Sequence, residues 1–555
     1  MRLDYESYSA EIDGEAIAIF LGGRRYLVLK PASALDSVDA QDIDGPLSGP
    51  EEVRYEDGVD LTWRSKSDLW REKTYHWHFE PDAFWCGVRV KGRNTIKDFR
   101  FFDGAAPNVY GWSFFDFSQF FTPECSLLDQ RYWKSMQYGC IDASSGRMSD
   151  VPRDPNADCH WIFTPPPLCY SLGFSSGPWL GAGVAPEPGH YGFSRFEYVP
   201  GPNSFCFRLT YDGMTHVDGV WTSPKLIFRP ASDEYSAIEK YCNTLRAWKL
   251  VNENTHARAN WWSRPIFCGW GEQNVTAIRM GGIPSNTLAR QETYDKFLAI
   301  IREKGLRPGT IVIDDKWQKA YGTCEVDTGK WPDLRRWIDE RHAEDRHVLL
   351  WYGAFSAEGL PEEETIKDPQ GRIECADPTS PAYQARIREM MHRMLSPDSG
   401  CYNADGIKYD WTGAPFGPGY TVHGSEWGIE LHKLYTKLVY DAAKAAKPDA
   451  LVITHTANPY YSECTDMIRL NDIFVGCREI ADMMRHRQRI ARIACPHALI
   501  DCDNSSAPDH TEWLQYTRSQ PELGVPSLYF LTGFDGTMEK ITDEDWEALG
   551  GIWRG

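Results

Sequence analysis

The ten residues at positions 404–413, Ala-Asp-Gly-Ile-Lys-Tyr-Asp-Trp-Thr-Gly, contain the clearest fold signal of the chain. Positions 407–411 have the apolar and β-branched content of a buried parallel strand, and Asp410 stands where that strand should end. In a (β/α)8 barrel this end of the strands carries the active site. By itself, the stretch also fits a strand with one solvated aspartate. Whether Asp410 belongs to an active site therefore depends on what the other strands carry.

Length, charge and cysteine usage exclude several classes of protein. The chain has 555 residues, more than one ordinary core contains, and its formal net charge of −20 argues against nucleic acid and anionic membranes as partners. It has no run of about 18 apolar residues, and its first residues lack the apolar core of a signal peptide. The 15 cysteines are an odd number without CxxC pairs, which indicates reduced, buried thiols. We therefore expect a cytoplasmic protein.

Residues 1–235 have the pattern of an N-terminal β-sandwich domain. Segments of alternating character recur between turn residues, as in Tyr-His-Trp-His-Phe at positions 75–79, and no helical spacing interrupts them. A large antiparallel sandwich is the predicted architecture. His76 and His78 could form a metal pair, and the alternative is that both face outward from a strand.

Helical spacing begins after the predicted sandwich. The segment 236–262 is predicted to hold a linker helix, with Ser232 or Asp233 available as its N-terminal cap. From position 263 to position 555, short apolar runs alternate with amphipathic segments, as in parallel βα units. We therefore assign 263–555 to the catalytic domain.

Eight strands are predicted in this last domain, which is the number of a TIM barrel. They are 266–270, 310–314, 347–351, 406–410, 450–454, 467–470, 498–501 and 526–531. Positions 454 and 467 leave little room for a crossover helix, so either this unit is abbreviated or one strand is assigned wrongly. The predicted fold class is multidomain β + α/β, an N-terminal antiparallel β-sandwich followed by a (β/α)8 barrel.

Polar and aromatic side chains gather where the predicted strands end. They are Trp270 at the first strand, Asp314, Asp315 and Trp317 at the second, Trp351 at the third, Lys408, Asp410 and Trp411 at the fourth, His455 at the fifth, Arg469 and Asp472 at the sixth, and Asp501 and Asp503 at the seventh. Any one of them could be a solvated rim residue. Together they suit glycosidic cleavage, in which one carboxylate attacks the anomeric carbon and a second carboxyl group protonates the leaving oxygen.

Two other classes of site compete with this one. A metal-dependent barrel hydrolase would carry HxH on its first strand, and positions 266–270 contain none, although Asp501 and Asp503 could bind a divalent ion. A non-catalytic carbohydrate-binding protein would keep the aromatic residues and has no need of two opposed carboxylates. We expect no cofactor and no metal.

The barrel half resembles glycoside hydrolase clan D, that is families 27, 31 and 36, and especially the melibiase-type α-galactosidases. The resemblance covers about residues 264–535, and the order of the two domains agrees with family 36. Its motifs are Ile-Asp-Asp-Lys-Trp-Gln at 313–318, Trp-Pro-Asp-Leu at 331–334, the strand at 405–410, and Arg-Leu-Asn-Asp at 469–472. One departure is Lys316, where the family usually carries glycine.

The resemblance implies a retaining α-glycosidase acting on an oligosaccharide or glycoside with a terminal α-linked hexose. It implies that Asp410 is the nucleophile, that Asp472 is the general acid/base, and that Asp314 and Asp315 bind sugar hydroxyls. The other predicted substrate-binding residues are Trp270, Trp317, Trp351, Lys408, Trp411, His455 and Arg469. Galactose is the leading sugar; α-glucosidase, α-N-acetylgalactosaminidase and transglycosidase activities stay open, as does a homo-oligomer.

The two proposed catalytic carboxyl groups should differ in protonation. Lys408, two residues before Asp410 on one strand face, should favour the ionised form of Asp410. Asp472 should hold a proton, with a pKa raised by negative charge nearby. Arg469 should point to the face opposite Asp472, because the two are three residues apart on a strand.

Overall fold

The structure is a computed structural model of the 555-residue chain. It describes residues 1–103, 114–115, 119–121, 140–142, 168–173, 177–201, 204–412, 417–470, 472, 479–505 and 507–554. Gly413 and Asn471, which belong to the motifs above, lie outside these residues.

The N-terminal part consists of two antiparallel sheets, as the alternating sequence predicts. In the described part of the chain, one sheet has five strands in the order β1-β2-β3-β4-β10, and the other has twelve. These strands are β1 Arg2–Asp4, β2 Ser9–Ile12, β3 Ile17–Leu21, β4 Arg24–Leu29, β5 Ser33–Ser37, β6 Ser48–Arg54, β7 Val59–Ser65, β8 Glu72–Glu80, β9 Ala83–Phe101, β10 Phe114–Phe115, β11 Gln119–Phe121, β12 Cys140–Asp142, β13 Cys169–Gly173, β14 Trp179–Ala185, β15 Arg195–Gly201, β16 Ser204–Thr222 and β17 Lys225–Ala231.

The two sheets share one apolar core, which makes them a sandwich. Alternate residues of β3 and β7 are buried, including Ile17 and Trp63. Trp63 Nε1 crosses to the other sheet and donates to the carbonyl of Gly14 at 2.7 Å. On the outer face of β8, His76 is exposed, and His78 Nδ1 lies 2.6 Å from Asp60 Oδ1. No group of three or more potential metal ligands occurs within the described residues.

A helix connects the sandwich to the second half. It spans Glu234–Ala247 (α1) and begins at Asp233, whose side chain accepts hydrogen bonds from the backbone N–H groups of Tyr235 and Ser236. Asp233 is therefore the cap that the sequence offered, and the helix covers only the first part of the predicted linker. Arg246, in its last turn, donates to the carbonyls of Ile493 and Ala494 in the second half, 2.9 Å from each.

The second half contains the predicted barrel. Its eight parallel strands are β18 Ile266–Cys268, β19 Thr310–Ile313, β20 His347–Gly353, β23 Gly406–Asp410, β24 Leu451–Thr454, β25 Met467–Arg469, β26 Leu499–Asp501 and β27 Ser527–Leu528, and a hairpin of β21 Thr365–Lys367 and β22 Ile373–Ala376 lies outside them. Neighbours in sequence are neighbours in the sheet, and β27 pairs with β18. Backbone hydrogen bonds between Val525 and both Ile500 and Cys502 close the circle.

The helices alternate with these strands along the chain. They are α2 Trp270–Arg279, α3 Gln291–Glu303, α4 Leu334–Ala343, α5 Pro381–Leu395, α6 Gly428–Ala446, α7 Ile480–Ala494, α8 His510–Leu523 and α9 Asp543–Arg554. Between β24 and β25 the chain forms only a short 3-10 helix, Pro459–Cys464, so the fifth unit is abbreviated and all eight strands are present. The predicted first strand is too long, because Trp270 already begins α2.

At the abbreviated unit the sandwich contacts the barrel. The ring of Tyr460, in the 3-10 helix, stacks on that of Tyr191 with centroids 3.6 Å apart and planes 11° apart. Nearby, the N–H groups of Ile429 and Glu430 at the start of α6 donate to the carbonyls of Phe193 and Tyr191. The N-terminal part thus supplies packing where another unit would place an outer helix.

Two further findings concern the cysteines and the helices. Each of the 11 cysteines whose side chains the structure describes is a free, buried thiol. Within the described residues, no helix is both long enough and apolar enough to cross a membrane.

Candidate active site

The barrel places the predicted residues on one rim because the strands are parallel. Asp410 ends β23, Arg469 ends β25, and Asp314, Asp315 and His455 directly follow strands. Strand register aligns Gly353 with Asp410, and Arg469 with Asp501. These positions share the carboxyl end of the sheet, where barrels carry their chemistry.

Asp410 is held by donors from three strands. Its Oδ2 accepts a hydrogen bond from Trp351 Nε1 at 2.9 Å, and its Oδ1 accepts one from the N–H of Trp411 at 2.9 Å. Arg469 Nη2 and His455 Nε2 each lie 3.2 Å from Oδ1. Although burial opposes ionisation, the charge of Arg469, the hydrogen bond of His455 and the charge of Lys408 hold the pKa of Asp410 well below its usual range. Asp410 is therefore an ionised carboxylate.

The tautomer of His455 follows from its two neighbours. Arg469 Nη2 lies 3.2 Å from His455 Nδ1, and a guanidinium can only donate. His455 Nδ1 is therefore the acceptor, and in the neutral ring the proton is on Nε2, which faces Asp410. His455 thus adds a third donor to the Oδ1 side of the carboxylate.

Arg469 joins the two proposed catalytic carboxyl groups. Its Nη1 forms ion pairs with Asp472 Oδ1 and with Asp503 Oδ2, the latter at 2.6 Å, while Nη2 contacts Asp410. The prediction that Arg469 points away from Asp472 is wrong. The strand ends at Arg469, so strand alternation does not extend to Asp472.

Lys408 contacts a different carboxylate from the one expected. Its Nζ donates to Asp314 Oδ2 at 2.7 Å and lies 3.7 Å from Cys268 Sγ, and the Cys268 thiol donates to the same Asp314 oxygen at 3.0 Å. Lys408 therefore acts on Asp410 through its charge, in the predicted direction, without touching it.

Asp315 lies in a different environment from that of Asp410. Its Oδ1 accepts a hydrogen bond from Tyr321 at 2.6 Å. Burial, with the negative charges of Asp314 and Asp410, raises the pKa of Asp315 to about 6, against the hydrogen bond from Tyr321. Asp315 therefore changes its protonation in the mildly acidic range.

Three aromatic rings form a wall beside these carboxyl groups. Trp411 packs edge-on against Trp351 and Tyr321, with ring centroids 4.7 and 5.0 Å away, and its side chain is 42% exposed. Half-exposed indole beside buried carboxylates gives an apolar face next to hydrogen-bond acceptors. Tyr321 was missed in the sequence, because a lone tyrosine in a loop has no periodic signal.

The other two predicted tryptophans have different places. Trp317 is fully buried, and its Nε1 donates to the carbonyl of Trp351 at 2.8 Å, so it positions the third strand. Trp270 is half-buried in the first turn of α2. Neither makes a described contact with Asp410 or Asp472.

Asp501 and Asp503 complete the buried charge cluster. Asp501 Oδ1 accepts from the hydroxyl of Ser527 and from the N–H of Asp503. Burial and the charge of Asp503 raise the pKa of Asp501 to about 6, whereas Arg469 and Lys408 lower that of Asp503 against the effect of burial. The environment therefore favours the protonated form of Asp501 and the ionised form of Asp503. Asp503 serves as a counter-ion of Arg469.

The structure gives a reason why glycine would suit position 316, where this chain has Lys316. Its φ is +70°, in the left-handed region that costs an L-residue about 1–2 kcal/mol. Its Nζ lies 3.7 Å from the centre of the Tyr321 ring and pairs with Glu358, whose carboxylate also accepts from the N–H of Tyr321 at 2.8 Å. Lys316 thus holds the loop that carries Tyr321.

The fold and the rim together define a two-part protein with a cluster of carboxyl groups at the carboxyl end of a (β/α)8 barrel. No family model and no curated protein sequence matches the chain. Solved structures with this architecture do match, at low identity.

Three of them indicate the range. The chain is similar to a GH31 family sulfoquinovosidase from E. rectale, solved with an aza-sugar inhibitor, with a TM-score of 0.55 and 10% identity over 98% of this chain and 82% of that chain. An α-galactosidase from Lactobacillus brevis matches with a TM-score of 0.52 and 11% identity, over 100% of this chain and 83% of that chain. An uncharacterised Listeria monocytogenes protein, in complex with glucose, magnesium and calcium, gives 0.56 and 11% over 98% of this chain, which spans only 58% of that one. The likeness establishes the shared fold.

Proposed function

We propose that the protein is a retaining glycoside hydrolase that removes a terminal α-linked hexose, with Asp410 as nucleophile and Asp472 as general acid/base. The observation that carries the proposal is the contact of both carboxyl groups with the Arg469 guanidinium, Asp410 on one nitrogen and Asp472 on another. A pair of carboxyl groups across a sugar-sized site is the requirement of glycosidic cleavage. The structures of similar fold include an α-galactosidase and a sulfoquinovosidase.

In the first step an oxygen of Asp410 bonds to the anomeric carbon while the glycosidic C–O bond breaks. We assign the attack to Oδ2, since Oδ1 has three donors around it and Oδ2 accepts, among the described residues, from Trp351 alone. Asp472 gives its proton to the leaving oxygen. Its side chain is 30% exposed, compared with 13% for Asp410, so it can exchange a proton with water.

In the second step Asp472 takes a proton from water, and the resulting hydroxide oxygen attacks the anomeric carbon. The bond to Asp410 breaks, and the sugar leaves with the configuration it had in the substrate. Arg469 stays fully charged throughout, so it stabilises Asp410 each time that group returns to the carboxylate.

The sugar is proposed to lie between the aromatic wall and the buried carboxylates. Asp314 and Asp315 would accept hydrogen bonds from its hydroxyls, while Trp351 and Trp411 offer apolar ring surface to its C–H groups. The resemblance favours galactose as this sugar. The sulfoquinovosidase of similar fold makes a sulfonated sugar the first competitor to test.

The test is a screen of 4-nitrophenyl α- and β-glycosides of galactose, glucose, N-acetylgalactosamine and sulfoquinovose, with wild type and Asp410→Ala assayed side by side. We expect hydrolysis of one α-glycoside, its loss in the variant, and an α-anomer as the first product in NMR spectra. A β-anomer as first product would contradict retention. Full activity in Asp410→Ala would contradict the whole assignment.

A further inference from the structure

Four arginines converge at the end of the barrel opposite the proposed active site. Arg302 lies on α3 and Arg341 on α4, while Arg307 and Arg346 precede β19 and β20. They line a cavity of about 440 Å³, together with Asp295, Leu298, Ala299 and Glu344. A cavity of this size is within the range of roughly 300–1,000 Å³ that is typical of small-molecule sites.

Two of these arginines are largely buried and have a side-chain N–H donor without an acceptor. The side chains of Arg341 and Arg346 are 12% and 10% exposed, and in both the buried Nε has no hydrogen-bond partner. Their ion-pair contacts with Glu344 are long, 3.4 Å from Arg341 and 3.3 Å from Arg346. A buried donor without an acceptor costs free energy, so the cavity is a place where an oxygen-rich anion would be stabilised.

The charge of the cavity has the sign opposite to that of the protein. Four guanidinium groups face the two carboxylates of Asp295 and Glu344, and Asp295 also accepts from Trp337 Nε1 at 2.8 Å. Burial, with the charges of Arg307, Arg341 and Arg302, lowers the pKa of Arg346, which reflects the mutual repulsion of the cluster. Glu340 lies 3.5 Å from Arg341, so four guanidinium groups meet three carboxylates, and the cluster is positive in a chain of net charge −20.

We infer that this cavity binds a phosphate group, carried by a phosphomonoester. The planar guanidinium fork matches the oxygens of a phosphate, and the positive cluster attracts its negative charge. Leu298 and Ala299 form an apolar part of the cavity wall. This part can contact the organic group of a phosphomonoester, which a free phosphate ion lacks. The site is independent of the function proposed for the opposite rim.

Binding at this cavity would act on the starts of two strands that lead to the rim. Arg307 precedes β19, which is followed by Asp314, and Arg346 directly precedes β20, which contains Trp351. An anion that bridges them would stabilise the folded protein by an amount that grows with the logarithm of its free concentration above the dissociation constant.

The test is isothermal titration of the whole protein with inorganic phosphate, glucose 6-phosphate and glucose at constant ionic strength. The variant is the double substitution Arg302→Gln/Arg307→Gln, since both side chains are exposed and their loss leaves the core intact. The matched control is Arg54→Gln/Arg93→Gln, which removes the same charge from side chains 61% and 75% exposed on the sandwich. Urea unfolding of all three proteins checks that each is folded.

We expect wild type and control to bind glucose 6-phosphate, and the double variant to bind it at least about tenfold more weakly. Inorganic phosphate should compete, and weaker binding by the free ion would confirm that the organic remainder contributes. Equal affinity in the double variant and the control, equal affinity for glucose and glucose 6-phosphate, or no binding of either phosphate compound would overturn the inference.

Discussion

Asp410 and Asp315 are two aspartates on one rim, each with little of its side chain in solvent, and their surroundings drive them to opposite protonation. Asp410 ends β23, where Arg469 and His455 contact it and Lys408 is near, and its pKa is well below the usual range. Asp315 follows β19, has the neutral hydroxyl of Tyr321 as its partner, and has a pKa of about 6. Burial alone therefore does not set the charge of a carboxyl group; the cations in contact with it do.

The cations themselves are unequally shared between the two sides. Lys408 donates to Asp314, and Arg469 contacts Asp410, Asp472 and Asp503. On the strand-two side, Lys408 is already matched by Asp314 and Lys316 by Glu358. This leaves Asp315 without a direct cationic partner among the residues described.

The largest effect should come from Asp410→Ala, which removes the attacking oxygen. We expect kcat/KM to fall by about 10⁴-fold or more on every substrate, activated or not. Steady-state rates with 4-nitrophenyl glycosides measure this. Azide should restore turnover only with an inverted product, and a retained product in the presence of azide would mean that the nucleophile lies elsewhere.

Asp472→Ala should have a smaller effect that depends on the leaving group. Protonation of the leaving oxygen contributes about 10²–10⁴-fold, and a 4-nitrophenolate needs little of it. Alkyl glycosides should therefore lose far more activity than nitrophenyl glycosides, and azide should accelerate the variant. The ratio of the two kcat/KM values measures the effect; an equal loss on both substrates would remove Asp472 from this role.

Asp315→Ala should lose about 10²-fold in kcat/KM through weaker binding of the sugar while staying folded, because a site built to bond a hydroxyl loses several kcal/mol without its acceptor. Tyr321→Phe is the matched control, since it removes the partner of Asp315 and keeps the carboxyl group. We expect a much smaller loss there. Assays of both variants with circular dichroism decide the matter, and wild-type kcat/KM in Asp315→Ala would make the residue an ordinary rim carboxylate.

The smallest effect concerns stability. Because the pKa of Asp315 is raised to about 6, the folded state resists its ionisation, and wild type loses stability as pH rises from about 4 to about 6. Asp315→Asn cannot ionise and can still accept from Tyr321. Its free energy of unfolding should exceed that of wild type by about 1–3 kcal/mol at pH 8, with much of the difference gone at pH 4. Urea unfolding at both values tests this, and Asp410→Asn should show no such gain.

The sequence predicts the barrel well because its signals are local. Each of the eight strands lies within or next to its predicted apolar run, and the short spacing between positions 454 and 467 correctly marks an unusual unit. The residues at the strand ends follow from the same reasoning, since parallel strands share one rim. The N-terminal sandwich follows from alternation, although its strand order does not.

The contacts inside the pocket could not be predicted, because they depend on how the chain turns after each strand. Lys316 and Trp411 have positive φ angles, which break the alternation that fixes side-chain direction within a strand. Asp472, beyond the end of β25, likewise lies on the guanidinium of Arg469. Tyr321 reaches Asp315 from a loop, and the arginines of the opposite end come from two helices and two loops with no common motif.

The abbreviated fifth unit has a consequence for how this gene can be cut and recombined. Tyr460 stacks on Tyr191, and the start of α6 donates hydrogen bonds to the sandwich, so the two halves complete each other at that point. A protein fragment of residues 263–555 alone would expose Tyr460 and the start of α6 to water. A sandwich exchanged from a related gene must therefore present an equivalent of Tyr191 to Tyr460. The two-part chain, and not the barrel alone, is then the unit that can be recombined.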